Sequence, residues 1–236
     1  MAANRTVIVT GASQGIGAAV VNAFLDREYN VVGTSRSATS AGLAPSTHLA
    51  LVDGDIGLAE TAEKVTQTAL ATFGSIDHLV NNAGIFFAKP FTEYTADDFR
   101  RFVSTNLEGF IFITQAAVRQ MLLQGNGGSV TTVTASLADN PISGIPASIP
   151  MLTKGGLDAI TLSLASEYAK DKIRFNAVAP GVVDTPLHKN NPTPRSAMGT
   201  ISEPKDIADA IIYLAEAAHV TGEVLHVDDG AHVGRW

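Results

Sequence analysis

Short runs of β-branched and apolar residues recur along the chain, and longer stretches between them repeat apolar positions every three or four residues. Thr6–Val9, Val31–Thr34, His48–Val52, Ile76–Val80, Val130–Thr134, Ile173–Val178 and Val224–Val227 read as strands. Several are apolar almost without interruption, as expected of strands covered on both faces. Ile207, Ala210, Ile211 and Leu214 fall at i, i+3, i+4 and i+7, which places them on one face of a helix. Leu157, Ile160, Leu164 and Tyr168 share that spacing. Strand–helix alternation predicts an α/β fold, a doubly wound parallel sheet with helices on both faces. No internal repeat or linker divides residues 1–236, so one domain is expected. The stretch Pro186–Ser196, with Pro186, Pro192 and Pro194, is too long for an ordinary connection. It reads either as a substrate lid over residues 186–200 or as a plain surface insertion.

Composition narrows the class. A chain of 236 residues is long enough to bury a substantial core without staples. The absence of cysteine removes disulfides, thiolate metal sites and cysteine nucleophiles, and no metal is expected in the site. A net charge of -7 argues against nucleic-acid binding, which needs basic patches to neutralise phosphates. No segment reaches the roughly 18 uninterrupted apolar residues of a membrane span. Met1–Arg5 runs straight into the first strand and leaves no room for a signal peptide. A cytoplasmic protein with a small-molecule substrate is expected.

Thr10-Gly11-Ala12-Ser13-Gln14-Gly15-Ile16-Gly17 follows the first strand and opens a helix. Glycines let a backbone turn tightly and approach a pyrophosphate, and the helix N-terminus offers unpaired N–H groups. The position between strand and helix is the context that makes such a cluster a dinucleotide site rather than a glycine-rich turn. The second strand ends Gly33-Thr34-Ser35-Arg36-Ser37. An acid there would bind both ribose hydroxyls and repel a 2′-phosphate, and none is present. Arg36 offers a planar cation suited to phosphate, with Ser35 and Ser37 beside it. The pattern favours NADP(H) over NAD(H).

The Gly-x-x-x-Gly-x-Gly spacing resembles that of the short-chain dehydrogenase/reductase family. Asn81-Asn82-Ala83-Gly84 after the fourth strand, Asn106 in Ser104-Thr105-Asn106-Leu107, and Pro180-Gly181-Val182-Val183-Asp184-Thr185 match further motifs of that family in order. The resemblance spans essentially the whole chain. It implies a Rossmann-type sheet of seven strands and a homo-oligomer, tetramer or dimer. It implies that Gly11, Ser13, Gln14, Gly15, Ile16 and Gly17 hold the pyrophosphate, and that Asp55 and Ile56 lie near the adenine. Asn82, Ala83 and Gly84 would line the adenosine side. Pro180, Gly181, Val183 and Thr185 would flank the nicotinamide, with Val183 and Thr185 on its carboxamide. Asp229, in Val227-Asp228-Asp229-Gly230, stands where relatives usually carry glycine; His232 and Trp236 follow it, either at a subunit interface or in an exposed tail.

The family's site uses Asn, Ser, Tyr and Lys, with tyrosine as general acid. Asn106, Ser136 and Lys154 match three of these, with Thr134 as an alternative to Ser136, and Lys154 would also bind the nicotinamide ribose. Tyrosine and lysine stand four apart so that both lie on one helix face. Pro150 occupies that tyrosine position. Its fixed φ and missing N–H suit the first turn of a helix, a structural rather than a chemical part. His188 is a secondary proton-donor candidate. Phe86, Phe87, Ile142 and Ile145 suggest an apolar substrate pocket, with Asp139–Ile149 shaping it. Two readings follow: a hydride transfer to quinones or activated carbonyls without the tyrosine, or a non-catalytic NADP(H)-binding sensor or interaction protein.

Overall fold

A computed structural model describes residues 4–188 and 196–233. Among them, seven strands form one parallel sheet: β1 Thr6–Thr10, β2 Asn30–Ser35, β3 Leu49–Asp53, β4 His78–Asn81, β5 Gly128–Val133, β6 Ile173–Pro180 and β7 Val224–Val227. Their order across the sheet is β3-β2-β1-β4-β5-β6-β7. Each strand predicted from the sequence exists, with ends moved by one to a few residues. Ile76 is buried but precedes β4, and β6 extends to Pro180. Helices α1 Gly15–Leu25, α2 Ala59–Phe73, α3 Ala96–Phe102, α4 Gly109–Gln124, α5 Ser148–Glu167 and α6 Pro204–Glu216 make the crossovers.

Alternation along the strands feeds two cores. Val7 and Val9 of β1 point to one face of the sheet, where Val20, Val21 and Phe24 of α1 meet Ile207, Ile211 and Leu214 of α6. Ile8 points to the other face, against Val65 and Ala69 of α2 and Ile113, Ala117 and Met121 of α4. The predicted stripe of α6 is therefore buried as read, with Ala210 at its edge. The stripe of α5 differs. Its buried positions are Pro150, Thr153, Leu157, Thr161 and Ala165, while Ile160 is half-buried. Thr161 sits in the core by donating its hydroxyl to the Leu157 carbonyl, so a polar residue replaces the expected apolar one. Tyr168 lies just beyond the helix and packs on Phe175.

Both ends of α6 are finished by side chains. Pro204 takes the first helical position, and Glu203 and Asp206 form a reciprocal capping box. At the other end the half-buried Arg174 guanidinium on β6 donates to the carbonyls of Leu214 (2.7 Å), Ala215 (2.5 Å) and Val220 (3.2 Å). A cation at a helix C-terminus satisfies orphan carbonyls and opposes the negative end of the dipole. No helix among the described residues is long and apolar enough to cross a membrane. Arg174→Met is expected to lower stability by about 2–4 kcal/mol, because carbonyls that bonded a charged donor lose it in a half-buried setting. Urea denaturation followed by circular dichroism measures this.

Candidate active site

A large cavity, about 860 Å³, opens along the carboxyl ends of the strands. Beside β1 the chain reverses its direction of travel across the sheet, and in open α/β sheets ligands bind at that point. The cavity wall is built strand by strand. Gly11, Ser13, Gln14, Gly15 and Ile16 come from the end of β1; Ser35 and Arg36 from β2; Asp55 and Ile56 from beyond β3. Asn82, Ala83 and Gly84 follow β4, Ser136 follows β5, and Pro180, Gly181, Val183 and Thr185 lie at and beyond the end of β6. Lys154 enters from α5. The sequence motifs, scattered from Gly11 to Thr185, thus meet on one surface.

The glycine loop has the shape of a phosphate cradle. Gly11 holds φ +68°, a left-handed conformation costly for other residues. A Cβ on Gly17 would stand 2.1 Å from the Gly11 carbonyl oxygen, so no side chain fits there. Gly17 does not touch the cavity; it lets α1 start hard against the loop. Gln14 precedes α1 without a side-chain cap, which leaves the first N–H groups of the helix available to an anion. Arg36 is exposed at the rim of the cavity, and no carboxylate occurs in Ser35–Ser37. These residues fit a dinucleotide, with its phosphates over the α1 N-terminus.

Asn82 and Thr10 lock this edge. The Asn82 side-chain amide donates to the carbonyls of Thr10 (2.9 Å) and Gly11 (3.2 Å). The Thr10 hydroxyl oxygen accepts from the backbone N–H groups of Asn82 and Ala83, each at 3.0 Å. Behind the cavity, the chain winds into a π-helical turn over Val103–Glu108, and Asn106 stands in it. Such turns recur at functional sites. Asn106 is buried and does not form part of the cavity wall. Its Oδ1 accepts from the Ile85 N–H at 2.9 Å, and its amide donates to Thr153 Oγ1 at 3.0 Å and Ile85 O at 3.2 Å. Asn106 therefore ties the β4 loop to α5.

Lys154 faces the cavity. Its ammonium donates to the Val133 carbonyl at 2.7 Å. A Cβ on Gly84 would lie 3.3 Å from both Lys154 Nζ and Asn106 Oδ1, so these three positions are mutually close. Burial pulls the Lys154 pKa down to about 8, opposed by the negative charge of Asp158. Ser136 is buried at 6% exposure and opens a short turn through Ala138. Thr134 also lines the cavity, but its hydroxyl points to the Val178 carbonyl at 3.3 Å.

Pro150 is the third residue of α5, buried and absent from the cavity wall. Its carbonyl accepts from the Thr153 hydroxyl at 2.7 Å. None of the four tyrosines lines the cavity either. Ile142, Ile145 and Phe86 do, as expected of an apolar pocket. Phe87 does not; it turns away to pack on Phe102, ring centroids 4.5 Å apart. Pro186 and Leu187 border the cavity, whereas the side chain of His188 and residues 189–195 lie outside the described residues, as does Trp236. Sequence reading missed Ala231, which reaches the wall from the turn after β7. His232 is no free tail residue: it donates to Asp228 at 2.9 Å and stacks on His226. Asp229 holds φ +55°, a conformation that aspartate tolerates better than most residues, which is how it replaces glycine.

Known proteins agree with this architecture. Residues 11–232 match the family described as enoyl-(acyl carrier protein) reductase. A tropinone reductase homolog from Arabidopsis thaliana is 36% identical over 244 residues, covering 95% of this chain and 92% of its own. An L-rhamnose 1-dehydrogenase (NAD(P)(+)) from a Sphingomonas strain is 33% identical, covering 97% and 96%. The 3-ketoacyl-(acyl-carrier-protein) reductase of Brucella melitensis, solved with NADH, superposes with a TM-score of 0.91 at 27% identity over 98% of this chain and 99% of its own. The chain belongs to the short-chain dehydrogenase/reductase family of NAD(P)-dependent oxidoreductases.

Proposed function

We propose that the protein transfers hydride from NADPH to a quinone or an activated carbonyl without the tyrosine its family uses as general acid. One observation carries the reading. Lys154 and Ser136 stand in the same cavity as the dinucleotide cradle, while the position one turn before Lys154 is a buried proline that does not reach it. In this reading Gly11, Ser13, Gln14, Gly15 and Ile16 hold the pyrophosphate, with Gly17 behind them setting the approach of α1; Asp55, Ile56, Asn82, Ala83 and Gly84 take the adenosine side, and Pro180, Gly181, Val183 and Thr185 the nicotinamide. Ser35 and Arg36 take the 2′-phosphate. Bound NADPH supplies the hydride.

The remaining chemistry falls to the chain. Lys154, half protonated near pH 8, places a positive charge and a proton where an oxyanion forms. Ser136 donates a hydrogen bond to the same oxygen. Asn106 holds the Ile85 backbone and α5 in register, so it acts by position. A missing general acid costs on the order of 10²–10⁴-fold in rate. A simple ketone, whose alkoxide is strongly basic, bears that cost in full; a quinone, whose oxyanion is weakly basic, bears little. Pro186 and Leu187, at the start of the segment 186–200 that the sequence marks as a lid candidate, line the cavity, and residues 189–195 of that segment lie outside the described residues. Exposed Ile111, Leu122 and Leu123 on α4, with Leu152 and Leu162 on α5, support assembly into a dimer or tetramer. The loss of a phenol from the cavity also favours a second reading, a cytoplasmic NADP(H)-binding sensor that turns over nothing.

The readings part on consumption of NADPH. The purified protein is expected to oxidise NADPH, followed optically, with a quinone or a 1,2-diketone. Lys154→Met is expected to abolish that turnover while NADPH fluorescence titration still reports binding. Binding with no turnover of any acceptor by the native protein favours the sensor. Arg36→Ala is expected to weaken NADPH by about 10- to 100-fold and leave NADH unchanged, since it removes a charge-assisted contact to the 2′-phosphate alone. Equal losses for both cofactors contradict the NADP(H) assignment.

A further inference from the structure

A second set of titratable groups lies near Lys154 but outside the cavity wall. Asp158 stands one helical turn beyond Lys154 on α5. Residues at i and i+4 place their Cβ atoms about 6 Å apart on one face. Asp158 Oδ1 is buried with no hydrogen-bond partner, an expensive state for a carboxylate in mid-helix. The Thr134 hydroxyl lies against the same carboxyl group, next to the Val133 carbonyl that holds Lys154.

From there a line of acid and base groups leads outward. Asp139, in the segment after the Ser136 turn, meets His226 Nε2 of β7 at 3.3 Å. His226 stacks on His232 with ring centroids 4.1 Å apart, and His232 donates to the buried Asp228. His226 is largely covered, and the Asp139 side chain is more than half exposed. The charged and titratable groups whose fields reach Asp158 are Lys154 on its own helix, Asp139 in the segment beyond the Ser136 turn and His226 of β7.

We propose that Asp158 is a positioning residue that holds Lys154 in its charged form, and that Asp139 and His226 behind it return the spent proton from solvent. The proposal rests on the tyrosine-free reading above. A C–H bond forms at the carbonyl carbon with hydride from reduced nicotinamide, and the C=O π pair moves to oxygen. Once the hydride has moved, the oxyanion held by the Lys154 charge takes a proton from that ammonium as the N–H bond breaks. Neutral Lys154 is reprotonated through the Asp158 carboxyl group, and Asp158 in turn by way of His226 from water. The substrate is reduced, and the nicotinamide leaves oxidised.

The electrostatics run the same way. Burial lowers the Lys154 pKa, and Asp158 is the charge that raises it again. Burial raises the Asp158 pKa, Asp139 adds to that, and Lys154 and His226 oppose it. A carboxyl group so perturbed exchanges protons more readily near neutrality than an ordinary aspartate. Removing the Asp158 charge takes away the influence that keeps Lys154 protonated, so its midpoint must fall.

The test is the titration of Lys154, read by NMR in protein labelled with [13Cε]lysine and assigned with Lys154→Met. A midpoint near 8 is expected for the native chain. Asp158→Asn, nearly isosteric, is expected to lower it by about one pH unit or more, and Asp158→Glu to restore most of it. Circular dichroism and NADPH binding confirm that the variants fold. An unmoved midpoint in folded Asp158→Asn overturns the proposal. In turnover, the loss of activity at high pH is expected to move down by the same interval. His226→Gln is expected to lower kcat about tenfold at unchanged KM, with a larger solvent deuterium isotope effect. Unaltered kcat in His226→Gln removes the proton-return route. If the native protein turns over no acceptor, the hydride-transfer reading and the return route fall together, while the titration still decides whether Asp158 governs Lys154.

Discussion

The side-chain amide of Asn82, bonded to the carbonyls at the end of β1, is the contact on which the site depends. β1 and β4 are neighbours in the sheet although two strands intervene in sequence, and their crossovers leave toward opposite edges. That leaves a crevice between their carboxyl ends, but a crevice alone is soft. Asn82 and Thr10 brace it with hydrogen bonds from both sides. The Gly11 turn, the start of α1 and the Ala83–Gly84 edge then stand at fixed spacing. Gly17, with no room for a Cβ against the Gly11 carbonyl, sets how closely the helix approaches. The dinucleotide cradle is a consequence of this brace.

Across the cavity the sequence has kept the lysine and its supports. Lys154 is held by the Val133 carbonyl, Asn106 by Ile85 and Thr153, and Thr153 by Pro150. In this chain Pro150 completes a hydrogen-bonded first turn and packs inward. Lys154 provides both the charge and the proton at the cavity, and its reprotonation is assigned to Asp158, one turn further along α5, and to the groups behind it. A lysine whose burial lowers its pKa to about 8 is suited to this role, because it offers both a charge and a transferable proton.

Much of this was legible in the sequence because it depends on local chemistry. Apolar β-branched runs gave the strands their number and order, and glycines before a helix gave the cradle. Arg36 and the missing acid at the end of β2 could be read for the same reason. What was not legible depends on distant groups meeting. Asn106 matched a family position, yet only the π-helical turn shows it buried behind the wall rather than in it. Thr153 and Thr161 break the apolar periodicity of α5, because their hydroxyls are satisfied by carbonyls of the preceding turn. Asp158 reads as an ordinary surface acid of an amphipathic helix until Thr134, Asp139 and His226 are brought against it. His226 and His232, separated by a turn, become a stacked pair only because the chain doubles back after β7.

The central claim is that hydride transfer here proceeds without a phenolic proton donor, and its most direct test is the dependence of rate on product basicity. The quantity is kcat/KM for NADPH-driven reduction across acceptors from quinones through diketones to simple ketones, plotted against the pKa of the reduced product. The account predicts a steep decline as the product becomes more basic, with simple ketones slower by about 10²–10⁴-fold than a fully equipped site would allow. A flat dependence, with brisk turnover of simple ketones, would show that a strong general acid is present in the cavity and would contradict the account.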